Sequence, residues 1–219
     1  MKARLVQKDC NNPEIQGWIR QAELDGVDLI CFSELATSGC LYQPRKIPAL
    51  ASVLALLEPF QTRIMLGLPY ESAGGRRNAY VYYHRGEHQI YHKVNLIPLM
   101  NEPEVYVPGD VPGVFDTDFG KAGTAICYDV RFPELFQKVK QAGAEYLFVP
   151  AAFPLVRIDA WRENLINRAK ETGLKAIGIN CVGDDGTNVF GGNSMIVEPD
   201  GTVVRETDQT SETILDFEL

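Results

Sequence analysis

Apolar positions along this chain alternate between continuous or every-second-residue runs and stripes recurring near every 3.6 residues, which divides it into strands and helices. Ala3 to Gln7 reads as a short strand. Asn12-Pro13 supplies an N-cap and a proline at the first helical position, with Ile15, Trp18, Ile19 and Ala22 on one stripe behind them. Asp28 to Phe32 is a continuous apolar run, as in a strand buried on both faces. Pro48 opens a second helix striped by Leu50, Val53, Leu54 and Leu57, and residues 64–68 return to strand. Residues 78–84 and 87–93 meet at Arg85-Gly86 as a hairpin would. Beyond a loop rich in Pro and Gly, residues 121–126 form a strand and Pro133 starts a helix with Leu135, Phe136, Val139 and Ala142. Residues 147–149 are a strand, and 159–172 a helix carrying Trp161, Leu165 and Ala169. Strands are expected near 175–181, 193–198, 202–206 and 212–217, with Pro199-Asp200-Gly201 as a turn. The alternation predicts an α/β fold, two layers of sheet covered by helices. With no internal repeat, linker or low-complexity stretch, one domain over residues 1–219 is expected.

Composition narrows the function classes. The 219 residues are 45% hydrophobic, 23% charged and 10% aromatic, as in ordinary globular proteins. Lys plus Arg number 21 against 29 Asp plus Glu, a formal charge of −8, and no concentrated basic patch offsets it. Nucleic-acid binding is therefore not expected. The opening MKARLVQKD is too short and too charged for a secretory leader, and no apolar run approaches the ~20 residues that span a bilayer. Cys10, Cys31, Cys40, Cys127 and Cys181 are scattered and odd in number, without a C-x-x-C pair. That spacing fits a reducing, cytoplasmic setting better than a disulfide framework or a thiolate zinc site.

Three strand ends carry chemistry: Phe32-Ser33-Glu34, Tyr91-His92-Lys93, and Ala125-Ile126-Cys127-Tyr128-Asp129. Ligands of open α/β sheets sit outside the carboxyl ends of the strands, so these ends are candidates to converge. Cys127 lies where a strand turns into the Pro133 helix, as a nucleophile elbow does, and backbone N–H groups there favour both a thiolate and an oxyanion. The alternative, a small buried core residue, describes Cys10, Cys31 and Cys181 well.

The segment Ile126-Cys127-Tyr128-Asp129-Val130-Arg131-Phe132-Pro133-Glu134-Leu135 resembles the cysteine signature of the nitrilase superfamily, the carbon–nitrogen hydrolases. Phe32-Ser33-Glu34 with Gly39 resembles that family's F-P-E-x-x-x-x-G-Y block, and Tyr91 to Leu96 its Y-x-K-x-H-L block. Glu102 through Pro108-Gly109, the helix with Trp161, Leu165, Arg168-Ala169 and Glu171, and Gly192 through Gly201 are similar to further blocks, in the family's order. The resemblance implies a four-layer α-β-β-α sandwich and a Glu34–Lys93–Cys127 triad. Cys127 would attack an amide carbon to form a thioester, Glu34 would move protons, and Lys93 with the Tyr128 backbone N–H would hold the oxyanion. Glu102 matches a second glutamate that positions substrate and braces Lys93. C-Y-D-x-R-F-P-E and the segment Asn180 to Gly186 resemble the amidase branch that includes ω-amidases, which act on 2-oxo acid monoamides. By the same resemblance the protein needs no cofactor, takes a small amide as its partner, and forms a homodimer or higher homo-oligomer.

The chain departs from the family pattern at Ser33, Cys40, Asn95 and Thr172-Gly173, where Pro, an aromatic, His and Asn are usual. It stops after a strand ending Asp216-Phe217-Glu218-Leu219, where many relatives continue into a tail that clasps a partner, so the usual dimer contact is in doubt. The short span between Glu34 and Lys93 is a second trimming. The three histidines, His84, His88 and His92, invite a zinc reading. The hairpin opposes it, because His84 and His88 would face opposite sides and His88 lies ~13 Å from His92 at ~3.3 Å per residue. Asp184 and Asp185, beside glycines, read as turn formers. Arg131 and Arg168 read as fold-bracing residues, with Arg157 and Phe153, around the loop after Pro150, as substrate contacts. Loops at 69–77, 96–113 and 151–159 are expected to set specificity. Two rival readings stand beside the amidase: a non-catalytic relative that binds a ligand or partner in the same pocket, and a carbamoylase or nitrilase.

Overall fold

The computed structural model describes residues 1–39 and 47–219; Cys40 lies outside the described residues. One sheet is built from β1 (Lys2–Gln7), β2 (Leu29–Phe32), β3 (Arg63–Ser72), β4 (Gly75–His84), β5 (Glu87–His92) and the last strand of the chain, Thr213–Glu218. The last strand pairs antiparallel with β1, then β1, β2 and β3 run parallel, and β4 and β5 follow antiparallel. The second sheet repeats this plan. Here β6 (Gly113–Thr117) runs antiparallel to β7 (Gly120–Thr124), which is parallel to β8 (Tyr146–Pro150) and β9 (Lys175–Ile179). Two further strands, Met195–Val197 and Val203–Glu206, complete it antiparallel. The two halves are alike in topology although no repeat shows in their sequences.

Side chains of the first sheet divide by the period-two rule. Leu29, Cys31, Met65, Tyr80 and Tyr82 face inward and pack with Phe115, Ala122, Phe148 and Ile177 of the other sheet, whose Leu147, Val149 and Ala176 point to the opposite face. Ile30, Phe32, Ile64, Leu66, Val81 and Tyr83 face outward, onto Ile19, Ala22, Val53 and Leu57 of α1 (Gln16–Leu24) and α2 (Leu50–Leu57). On the far side, the helices Pro133–Gln141 and Ile158–Thr172 cover the second sheet with Leu135, Phe136, Trp161 and Leu165. This is the four-layer sandwich, and it explains why the central strands read as apolar runs without alternation. Burying a Leu or Phe of this kind stabilises the fold by ~1.5–3 kcal/mol.

Several expected boundaries move. The first helix starts at Gln16, not at Pro13, because Asn12 Oδ1 accepts the Glu14 N–H at 3.0 Å and Glu14 Oε1 caps the Gly17 N–H at 2.7 Å. It ends where Val27 N–H reaches back to the Ala22 carbonyl around Gly26 at φ +66°. Ala142, placed on a buried stripe, is exposed, and Ala144 beyond Gly143 is buried instead. Residues 69–77 are no loop but the far end of the β3–β4 hairpin, with Ser72 opposite Gly75. Pro69 is tolerated there because β2 pairs β3 only at Arg63 to Met65, leaving one side without a neighbour. The hairpin at Arg85-Gly86 has the expected two-residue turn, with both residues at positive φ.

Candidate active site

Glu34 follows β2, Lys93 is the first residue after β5, and Cys127 opens a short 3-10 turn (Cys127–Arg131) beyond β7. The structure brings the three strand ends together beneath the surface. Lys93 Nζ lies 2.9 Å from Glu34 Oε1 and 2.7 Å from Glu102 Oε1, all three side chains fully buried. Glu102 is anchored in turn by the Ile97 N–H, which donates to its Oε2 at 2.6 Å. Glu34 Oε1 also accepts Asn78 Nδ2 at 2.7 Å, and its Oε2 accepts the Ala152 N–H at 2.9 Å. The Cys127 thiol faces the other end of the same residue, with Sγ 3.9 Å from the Ala152 carbonyl oxygen. Thiol and carboxylate are thus gathered at the two backbone polar groups of one residue, Ala152.

The elbow is real in backbone terms. Cys127 has φ +50°, a left-handed conformation costing roughly 1–2 kcal/mol for a residue with a Cβ. Strain of this kind persists where surrounding contacts over-determine it. The turn that follows places the Tyr128 N–H in its first turn, where backbone donors have no intrahelical acceptor.

Burial governs the electrostatics. Removal from water pushes the Cys127 thiol well above its ordinary range, and the Glu34 charge adds to this against a smaller opposing pull from Lys93. Burial disfavours the Lys93 ammonium, but Glu34 and Glu102 outweigh it, so the amine is held charged. Glu102 is raised by burial, partly offset by Lys93. One ammonium between two carboxylates leaves an uncompensated negative charge in the cluster, which favours the neutral thiol at rest.

A cavity of about 380 Å³ lies beside the elbow, lined by Ile97, Pro98, Tyr128, Arg131, Phe153 and Arg157 among others. Phe153 is held from behind by the Trp161 ring, 5.5 Å between centroids, and its backbone N–H and carbonyl are both gripped by the Asn180 amide at 2.7 and 3.2 Å. Arg157, expected as a substrate contact, is exposed on the cavity rim. Arg131 departs from expectation. Among the described residues it has no ion pair, and it lies over the Tyr128 and Phe153 rings, 5.7 and 5.8 Å from their centroids, facing the cavity. Arg168 does brace, paired with Glu171 at 2.9 Å and stacked on Phe136.

The remaining candidates sort plainly. Asp184 and Asp185 accept the N–H groups of Gly186, Thr187 and Asn188, as turn formers do. His92 meets the Tyr70 hydroxyl at 2.7 Å, whereas His84 and His88 border a separate groove. Among the described residues, no group of three or more His, Cys, Asp or Glu stands close enough to hold a metal ion. Asn78 and the Ala152 peptide were not singled out by sequence. The signal for Asn78 was available: a lone amide in the apolar run Ala79-Tyr80-Val81, 1% exposed, needs a partner.

The chain resembles known proteins in sequence and in fold. A curated 2-oxoglutaramate amidase of Bacillus subtilis (strain 168) is 40% identical over 116 residues, covering 53% of this chain and 45% of that protein. A probable nitrilase of Schizosaccharomyces pombe is 28% identical over 204 residues, covering 87% of this chain and 74% of that protein. The match to the first curated relatives spans about half of their length. An amidase structure from Nesterenkonia sp. superposes with a TM-score of 0.87 at 25% identity, covering all of this chain and 90% of that one. The carbon–nitrogen hydrolase family model matches residues 6–219. By sequence and fold together, the chain belongs to the carbon–nitrogen hydrolase family.

Proposed function

We propose that this protein is a thiol amidase that hydrolyses a small carboxamide carrying a carboxylate, as a 2-oxo acid monoamide does. The observation that carries the reading is the buried Glu34–Lys93–Glu102 cluster, which meets the Cys127 thiol at Ala152, Glu34 through its N–H and the thiol through its carbonyl. Cys127 gives its proton to Glu34 as sulfur attacks the amide carbon, and the C=O electron pair moves to oxygen. That oxyanion is held by the Lys93 ammonium and the Tyr128 N–H. Collapse breaks the C–N bond, Glu34 returns the proton to nitrogen, and ammonia leaves a thioester on sulfur. Water then gives a proton to Glu34 and attacks the thioester. The C–S bond breaks, Glu34 returns that proton to the departing sulfur, the acid is released, and Cys127 is a thiol again. Glu102 touches Lys93 and keeps its ammonium directed at the reacting oxygen.

The substrate class rests on charge and on likeness. Arg131 and Arg157 put two guanidinium groups at a cavity whose other lining is mostly apolar, with Asn188 and Tyr128 as its further polar side chains, suited to a carboxylate distal to the scissile amide. Relatives named 2-oxoglutaramate amidase occur in Bacillus subtilis and Paenarthrobacter nicotinovorans, at 40% and 33% identity. Assembly as a homodimer and residence in the cytoplasm belong to the same proposal. The free thiols of Cys31 and Cys127 suit a reducing compartment.

The test is ammonia release from 2-oxoglutaramate and from neutral amides of similar size. Wild type is expected to turn over the anionic amide, Cys127→Ala to abolish turnover, and Arg131→Gln to raise KM for the anionic amide alone. Alkylation of Cys127 at one equivalent without turnover of any amide, carbamoyl compound or nitrile would replace this reading with the non-catalytic one.

A further inference from the structure

Asp129 is two residues past Cys127, has no exposed surface, and is not needed for any proton transfer above. It nonetheless collects four donors. Oδ2 accepts the Tyr91 hydroxyl and the Ile126 N–H, each at 2.9 Å. Oδ1 accepts the Asn95 backbone N–H at 2.7 Å and Asn95 Nδ2 at 2.8 Å.

The placement of those donors is the point. Tyr91 and Asn95 stand two residues before and two after Lys93, and Ile126 directly precedes Cys127. Backbone bonds with Asn78 of β4 at 2.9 Å and with Gly109 of the following loop at 2.8 Å fix Lys93 on its own side of the molecule. Asp129 ties that segment across to the elbow, which belongs to the other sheet. The left-handed Cys127 turn therefore has its entry residue held by the carboxylate that also holds both flanks of the lysine.

We propose that Asp129 is a positioning residue that locks Lys93 and Cys127 into one frame, and that the Asn95 amide is the adjustable half of the lock. The proposal rests on the thiol-amidase reading for its kinetic consequence, but its geometric consequence stands apart. The family block commonly has histidine at this position, whose ring N–H is also a donor. Asn95 in this chain supplies the same bond through an amide, with its backbone N–H adding a second bond to the same oxygen. A carboxylate satisfied by four neutral donors is rigid, and a bond to a charged buried acceptor is of the stronger class.

The test uses Asn95→Ala, which deletes one of the four bonds and keeps the backbone donor, with Asn95→His as rescue and Asp129→Asn as the harsher change. Three readouts are taken: kcat and KM for 2-oxoglutaramate, the second-order rate of Cys127 labelling by iodoacetamide, and thermal unfolding. For Asn95→Ala, kcat is expected to fall roughly ten- to hundredfold with KM within about twofold, from the loss of a charge-assisted bond. Labelling is expected to accelerate by at least about threefold, since the buried thiol gains freedom when the elbow loosens. Asn95→His should return both values to within about threefold of wild type. The proposal is overturned if Asn95→Ala keeps wild-type kcat and labelling rate, or if its kcat loss only matches a loss of folded protein. If wild type hydrolyses no amide, the function proposed above fails while labelling still decides this one. Wild-type labelling in Asn95→Ala then overturns the lock, and accelerated labelling reversed by Asn95→His upholds it.

Discussion

Gly67 lies in β3 opposite Tyr80, with its missing side chain directed at the segment that carries Glu34, the proposed general base. A Cβ built there would stand 2.2 Å from the Ser33 carbonyl oxygen, 2.7 Å from Glu34 Cα and 2.8 Å from Leu35 N. All three are backbone atoms, so no side chain can swing aside, and the Ser33–Leu35 segment must retreat by roughly 1 Å to regain ordinary van der Waals distance. The Glu34 carboxylate is held by bonds of 2.9 Å to Lys93, 2.7 Å to Asn78 and 2.9 Å to the Ala152 N–H. A shift of roughly 1 Å takes at least one of these past hydrogen-bond range. Gly67→Ala should therefore lower kcat by about 100-fold, the effect of misplacing a catalytic group by this distance, and destabilise the fold by about 1–3 kcal/mol. Ammonia release under saturating amide and a urea titration measure the two effects. Gly26→Ala is the control. Gly26 has φ +66° and open space around its Cβ position, so alanine there costs roughly 1–2 kcal/mol of strain away from the site. It should leave kcat unchanged. A Gly67→Ala enzyme with kcat within about threefold of wild type would refute the reasoning.

Asn78→Ala removes a neutral donor from Glu34 and should reduce kcat by roughly tenfold without raising KM. An unchanged kcat in steady-state assays would show that Lys93 and Ala152 suffice to orient the base. A stability experiment probes the contact between the sheets at Arg63, the first residue of β3, and Asp118, in the β6–β7 turn. The hydrogen bond from Arg63 holds the Asp118 carboxyl down at about 2. Because the folded value lies below the ~3.9 of an unfolded chain, the contribution is complete above about pH 4 and disappears as pH falls toward 2. The stability gap between wild type and Asp118→Asn, read from urea midpoints, should therefore narrow across that window. A gap independent of pH there would mean that the pair contributes nothing through charge.

Local chemistry made much of this molecule legible in its sequence. The apolar runs 28–32 and 147–149, the Arg85-Gly86 turn and the elbow at Cys127 are written in adjacent residues, and the structure has them where the pattern places them. Glu34, Lys93 and Cys127 meet because each ends a strand on the same side of its sheet, which order along the chain conveys without coordinates. What escaped depends on contacts across the fold. Pro69 and the Gly74-Gly75 pair disguise the β3–β4 hairpin as a loop, since the absence of β2 beside that end cannot be seen locally. Arg131 shares a motif with Cys127 and reads as structural, yet its place over two aromatic rings depends on Phe153 arriving from the loop beyond β8. Asn78 and the Ala152 peptide serve Glu34 only once two sheets have packed. The first helix began late because Glu14 outcompeted Asn12 for the capping role, a contest that residue preferences alone do not resolve.

The uncompensated negative charge of the two carboxylates around Lys93 has a consequence for how the protein senses its solution. In the proposed cycle the thiol proton passes to Glu34 and on to ammonia, so at each transfer the buried site exchanges charge with itself or with the bound substrate. A sealed site of constant net charge has little to offer mobile ions, whose atmosphere extends about 8–10 Å into water at physiological salt but scarcely into packed protein. The rim is built the opposite way: Arg157 is exposed and Arg131 half-buried, both on an acidic chain of net charge −8. There an arriving carboxylate meets local attraction set in a broadly repulsive field, and added salt weakens both. Ionic strength therefore acts on this molecule at its doorway, while the chemistry inside proceeds insulated from it.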